Sequence, residues 1–247
     1  MVKSQASPVT FRIPLLESIP GLASVFLGRD TEPRPLPGRL SAVLAASCPG
    51  AREGTPIVTA RQIHSDRSLL VRCGASGVAG EGDALLTDAQ GIALGVATAD
   101  CLPLAAIDPD AGVLAVVHAG WRGTLSGVLG KAIEAMTEQL GAVPGRIRIG
   151  TGAAVGACCY EVGPEVVEAF TDRRFDHASR IFRRPGNGSI HLDLIEANRL
   201  QALEAGVRGD HYAALGLCTV CRPDACHSYR RDGAGAGRMW LLAALLA

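Results

Sequence analysis

The chain has 247 residues, enough to bury a substantial core, and 48% apolar against 19% charged residues is the balance of a globular protein, not of a disordered or fibrous one. Lys and Arg total 24 and so do Asp and Glu, so the formal net charge is zero and the electrostatic footprint of a protein that grips nucleic acid or an anionic membrane is missing. What remains is small-molecule chemistry, in one domain covering 1–247, built on a core of Ala, Val, Leu and Ile because only 4% of the residues are aromatic.

The opening MVKSQASPVTFRIPLLES lacks an apolar stretch of signal-peptide length, and no later run reaches the roughly 18 apolar residues of a membrane span, so a cytoplasmic location is expected. A strand is expected near SVFL, a Pro-rich loop over 29–39, and a helix at RLSAVLAAS. TPIVTARQIH and RSLLVRC read as strands, GVAGEGDALLTD as a Gly-rich turn leading into a short strand, and GIALGVAT as a buried strand. LPLAAID and VLAVVHAG flank the turn residues Pro109, Asp110, Ala111 and Gly112 and read as a hairpin. In TLSGVLGKAIEAMTEQLGA, apolar residues at 125, 128, 129, 132, 133 and 136 have the spacing of an amphipathic helix, which Thr124 is placed to cap and Gly141 to end. RIRIGTGAAVG reads as a strand entering a Gly-rich loop, PEVVEAFTDR as a short helix behind Pro164, HLDLIEANRLQALEAGV as a helix ending at Gly206, and MWLLAALLA as a final buried strand. Strands and helices in this order, without an internal repeat, indicate α+β or α/β with helices covering sheet faces.

The hairpin carries a Cys and a His. Positions 101 and 118 average to 109.5, inside the Pro109–Asp110 turn, so a simple antiparallel register sets Cys101 opposite His118. Directly opposed residues place their Cβ atoms about 4.5–5.5 Å apart, which a thiolate and an imidazole at ~2.3 and ~2.0 Å from one Zn²⁺ can bridge. Such donors suit zinc and copper and serve calcium or magnesium poorly. His64, just past a strand, is the best third ligand, and three protein ligands leave a position open for water or substrate. Asp100 is placed to act as a base or as an outer partner of the site. Against this stands a plainer reading, in which Cys101 is buried packing and His118 a hydrogen-bonded strand end.

Other groups invite chemistry too. Cys218 and Cys221, followed by Cys226 and His227, read either as a four-ligand structural zinc site or as reduced core and loop thiols; with eight Cys and no secretion signal, disulfides are not expected. Cys158 and Cys159 offer a nucleophile, although neighbours on a strand point apart and packing is the alternative. Arg122, Arg230 and Arg231 are candidates for binding a phosphate or another anion.

Taken together, ARQIHS, GDALLTD, TADCLPLAAID, VHAGWRG, GAAVGACCYEVGPEV and LCT…SYRRDGAGAGR resemble the signature of the laccase-domain or YfiH-like family, also called multicopper polyphenol oxidases or peptidoglycan editing factors. The resemblance runs from about residue 56 to the C-terminus. It implies a layered α/β/β/α mixed-sheet fold related to toxin deamidases, and a zinc held by His64, Cys101 and His118. It further implies purine nucleoside phosphorylase activity on adenosine, inosine, guanosine and methylthioadenosine, with adenosine deamination in some members. Asp100, Cys101, Arg122 and Arg230 are the expected catalytic group, and a purine nucleoside and phosphate the expected partners of a protein expected to be monomeric. The alternatives are an editing hydrolase of peptidoglycan precursors with Cys101 as nucleophile, a copper-dependent phenol oxidase, and a metal-binding module without catalysis. A multicopper oxidase needs many more His ligands than the six His present. The chain departs from the family pattern at Ser65, at Cys226 and His227, at Ala236, and most of all in the N-terminal part, where the family's Gly-Gly-x-Ser and Asn-Leu-Gly segments, which line its pocket, are absent.

Overall fold

A computed structural model describes residues 8–29, 35, 37–172, 178–186 and 188–246; most of the Pro-rich loop expected over 29–39 lies outside them. Two mixed six-stranded sheets lie face to face. The first runs β1 (Thr10–Phe11), β2 (Leu22–Leu27), β15 (Met239–Leu245), β7 (Ala93–Thr98), β3 (Ile57–Arg61) and β5 (Gly77–Glu81). The second runs β14 (Tyr212–Ala214), β10 (Arg148–Thr151), β8 (Leu102–Asp108), β9 (Val113–Ala119), β6 (Ala84–Thr87) and β4 (Ser68–Leu70). A small third sheet orders β11 (Glu161–Val162), β13 (Ile190–Leu192) and β12 (Phe182–Arg183).

Alternation along the strands sorts the apolar side chains into three buried layers. On β15, Leu241, Ala243 and Leu245 face the second sheet, where they meet Leu85, Ala105, Ile107, Leu114 and Val116. The intervening Leu242 and Ala244 face α2 (Pro37–Ser47), which covers the first sheet with Leu40, Val43 and Leu44. On the far side of the second sheet, Leu102, Leu104, Ala106, Ala115 and Val117 pack beneath α4 (Val128–Leu140) and α7 (Leu194–Glu204). The layers are therefore helix, sheet, sheet, helix, the α+β arrangement expected. Shorter helices α1 (Pro14–Glu17), α3 (Trp121–Leu125), α5 (Pro164–Asp172), α6 (Ala178–Ile181) and α8 (Tyr229–Asp232) fill in between. Among the described residues no helix is long and apolar enough to cross a membrane.

Three expectations need correction. The helix read from Thr124 onward is two helices, because Gly127 at φ +81° breaks it between α3 and α4. Thr124 lies inside α3 and caps nothing; its hydroxyl accepts from Asn198 Nδ2 at 3.0 Å and its carbonyl from Gln201 Nε2 at 2.5 Å, fastening α3 to α7. GVAGE, read as a turn, is the edge strand β5, parallel to β3. Its exposed position removes the apolar alternation that marks a half-buried strand. The hairpin is offset by two, since Leu102 pairs with Ala119 and Asp108 with Val113 around a four-residue turn, which places Cys101 opposite Gly120. A shift of two keeps every side chain on its face, whereas a shift of one would have turned Cys101 away from His118.

Candidate metal centre

Three donors converge where the two sheets meet at one end. His64 follows β3, Cys101 precedes β8, and His118 lies near the end of β9; their ligand atoms all lie within 4.8 Å of one another. Cys101 Sγ stands 3.9 Å from His64 Nε2, and the two imidazoles meet edge to face with centroids 4.9 Å apart. A Cβ on Gly120 would fall 2.9 Å from Cys101 Sγ and 3.1 Å from His64 Cδ2. The absence of a side chain at 120 therefore leaves the space into which these donors point.

Asp83, which sequence reasoning missed, organises the cluster. It is only 1% exposed, and its Oδ1 accepts from His118 Nδ1 at 2.8 Å and from the His64 amide at 3.0 Å. Its Oδ2 accepts from the Ser65 amide at 2.6 Å and the Ser65 hydroxyl at 2.7 Å. A carboxylate can only accept here, so His118 keeps a proton on Nδ1 and turns Nε2 toward Cys101 and His64, where it donates to the Cys101 sulfur or, once deprotonated, can ligate a metal. Burial works against charge on Asp83, yet the bonds from His118 and Ser65 outweigh it and hold the carboxyl at about 2. Cys101 shows the same contest: burial raises the thiol, but hydrogen bonds from His118 and His64 bring it down to about 6. The signal for Asp83 lay in GDALLTD, noted as a motif but given no chemistry. Gln62 was missed as well; its amide side chain donates to Ala97 O at 2.7 Å and accepts from Ala97 N at 2.9 Å, tying the chain beyond β3 to β7 as a further rung would.

His64 and Asp100 are the non-glycine residues with left-handed backbone among those described, at φ +60° and +89°. Both are over-determined by their bonds, as such conformations require. Asp100 Oδ1 accepts from the Thr219 hydroxyl at 2.5 Å and Oδ2 from the Arg230 amide at 2.6 Å, while its carbonyl accepts from Val155 N at 2.9 Å. Asp100 thereby ties the bend before Cys101 to the loop after β10, the loop after β14 and helix α8.

Above the donors opens a pocket of about 780 Å³, lined by Trp121, Tyr160 and Tyr229 and by the guanidinium-bearing Arg122, Arg230 and Arg238. Arg122 stacks on Trp121 at 4.3 Å and Arg230 on Tyr160 at 5.4 Å. Burial first, and then the nearby Cys101, push the Tyr160 phenol up to about 12. Arg231 turns away and is spent on Asp232 and on the carbonyls of Thr219, Val220 and Cys226. No described residue before Gln62 lines the pocket.

The grouping of Cys218 and Cys221 with Cys226 and His227 does not form. Cys226 is buried between the two sheets and His227 packs against Gly237, while Cys218 and Cys221 lie beside Cys158 and Cys159.

A thiol and two imidazoles on the floor of a pocket, set in a four-layer α/β/β/α frame, define a class of proteins with donors suited to a soft metal. Residues 41–246 match the family model described as multi-copper polyphenol oxidoreductase laccase, and the chain belongs to that family. It is 42% identical over 156 residues to "Adenosine deaminase RL5" from an unknown prokaryotic organism, over 63% of this chain and 59% of the relative. It is 38% identical over 157 residues to "Purine nucleoside phosphorylase YlmD" of Geobacillus stearothermophilus, over 64% and 57%. The chain thus matches less than two thirds of the length of these relatives. The crystal structure of the Bacillus licheniformis hypothetical protein YfiH superposes with a TM-score of 0.85 at 25% identity, covering 97% of each chain.

Proposed function

We propose that the chain is a zinc-dependent purine nucleoside phosphorylase, with His64, Cys101 and His118 holding the metal. The observation that carries this is the convergence of those donors, with Asp83 behind His118, on the floor of a pocket whose volume suits a nucleoside. The donor chemistry fits Zn²⁺: one thiol drawn toward its thiolate, imidazoles with Nε2 turned inward, and a glycine where a side chain would fill the cradle. Bound there, the ion supplies a Lewis acid at the pocket floor.

The remaining work falls to the chain. Three guanidiniums against the single carboxylate of Asp100 make the pocket attract anions, and forked N–H donors suit phosphate. Trp121, Tyr160 and Tyr229 offer faces for a purine. Phosphorolysis breaks the bond between ribose and purine and forms one between ribose and a phosphate oxygen. Positive charge gathers on the ribose as the first bond opens, and a phosphate gripped by Arg122 and Arg230 stabilises it. Asp100 acts by position, since both of its carboxylate oxygens already accept hydrogen bonds.

The similarity to a protein named adenosine deaminase makes water a second nucleophile to test, adding to C6 of adenosine and releasing the exocyclic amine as ammonia. Copper-dependent phenol oxidation is disfavoured, because the donor cluster uses two of only six His. Incubation with inosine and phosphate is expected to release hypoxanthine, and Cys101→Ala to lower kcat/KM by about a hundredfold or more, the several kcal/mol that a catalytic metal contributes. Equal rates for the wild type and this variant, or no hypoxanthine from either, would refute the assignment.

A further inference from the structure

The second sulfur cluster is independent of the pocket floor. The Sγ atoms of Cys158, Cys159, Cys218 and Cys221 all lie within 4.8 Å of one another, with Cys221 Sγ 3.8 Å from Cys158 Sγ and 3.4 Å from Cys159 Sγ. Four sulfurs at tetrahedral corners, each ~2.3 Å from a central zinc, stand about 3.8 Å apart. These two separations bracket the edge of a zinc tetrathiolate, and the cluster has room for one ion.

The backbone is arranged for charged sulfur. Cys218 Sγ accepts the Gly156 N–H at 3.3 Å, so an amide of the loop after β10 is folded onto the first sulfur of the Cys-x-x-Cys segment. An amide aimed at a sulfur stabilises a thiolate ligand. Gly156 lets the two loops meet, since a Cβ there would come within 3.2 Å of both Cys158 Sγ and Cys218 Cβ. Exchange of four thiol protons for one divalent cation leaves a charge of −2 at the site. Arg183 and Arg184 line the shallow cavity that reaches Cys158 and bring positive charge to its side of the cluster, Arg183 also pairing with Asp193 at 2.9 Å.

We propose that Cys158, Cys159, Cys218 and Cys221 bind a structural Zn²⁺ that staples the loop after β10 to the loop after β14. The two loops already touch through the Ala154–Cys218 bridge. Each carries a pocket residue's neighbour: Tyr160 follows Cys159 and lines the pocket, and Thr219 follows Cys218 and holds Asp100. The ion thus fixes the wall of the pocket from behind without touching a substrate.

The test separates this ion from the one assigned to the pocket. Cys101→Ala/His118→Ala protein, expressed with zinc and purified without chelator, is expected to retain about one zinc per chain, with X-ray absorption reporting a shell of four sulfurs. Cys218→Ser/Cys221→Ser is expected to lose that ion and keep the other. Where this second variant fails to fold, cobalt substitution of the Cys101→Ala/His118→Ala protein replaces it, and the intense thiolate-to-metal absorption of a tetrathiolate is the expected outcome. A Cys101→Ala/His118→Ala protein that holds no zinc and gives no such absorption overturns the proposal, as does a Cys159–Cys221 disulfide in the native protein by mass spectrometry. Loss of nucleoside turnover alone bears on the pocket assignment and leaves this readout unchanged.

Discussion

Asp83 and Gly120 show how single residues set the pocket floor. Asp83 receives hydrogen bonds from the His64 and Ser65 segment and from His118, so one carboxylate aligns two of the three donors. Asp83→Asn keeps the shape and removes the charge; zinc affinity by competitive chelator titration is expected to fall about 10–100-fold, the usual cost of losing such a partner. Gly120 acts through space. In Gly120→Ala the new Cβ would press on Cys101 Sγ and the His64 ring, so the expected outcome is loss of the pocket metal by elemental analysis. Since that Cβ would meet side chains at the pocket floor, the far-ultraviolet circular dichroism is expected to be unchanged. Retained metal at wild-type stoichiometry would show that the floor yields more than its geometry implies. The motif GDALLTD marked Asp83 without saying what it does, because its approach to His118, 35 positions away, and that of Gly120 to Cys101 and His64 are made by folding.

Elements carry the next level of order. The hairpin of β8 and β9 was legible from its apolar runs and turn residues, since a strand buried on both faces reads as continuously apolar. Its register was not, because the four-residue turn, rather than a two-residue one, is chosen by packing. The break between α3 and α4 was legible only as a glycine at 127. What holds α3 in place is the buried pair of contacts from Asn198 and Gln201 of α7 to Thr124. Asn198 is fully buried, and Asn198→Ala leaves the Thr124 hydroxyl without this donor. Chemical denaturation is expected to show a loss of about 1–3 kcal/mol, the cost of stranding a buried polar group. A change below a few tenths would mean that α3 is positioned by its apolar contacts alone. The edge strand β5 was missed for the opposite reason: exposure leaves no apolar pattern to read.

Across the whole molecule, helices seal both outer sheet faces, and that sealing has a pH signature. Tyr212 on β14 lies partly buried beneath α7, donating to Ile195 O at 3.3 Å. Burial pushes its phenol far above the ordinary tyrosine value of 10.0, against the opposing pull of Arg199. A raised folded pKa means that the neutral phenol's contribution is complete below pH 10 and is lost as pH rises above it, by about 1.4 kcal/mol per unit. Thermal melts at pH 9, 10 and 11 are therefore expected to fall more steeply for the wild type than for Tyr212→Phe; equal slopes would contradict the packing of this phenol beneath α7.

By itself the sequence determined the composition of the core, most of the strands and long helices, and the residue types able to hold a soft metal, because these follow from periodicity and from the chemistry of Cys and His. Tertiary structure alone decided the rest. It set the hairpin offset, gathered His64, Cys101 and His118 around Asp83, and brought Cys158 and Cys159 to Cys218 and Cys221 in place of Cys226 and His227. The physical reason is range: backbone propensity and side-chain alternation act over a few residues, while a site is made by contacts between segments tens of positions apart, fixed only when the layers pack.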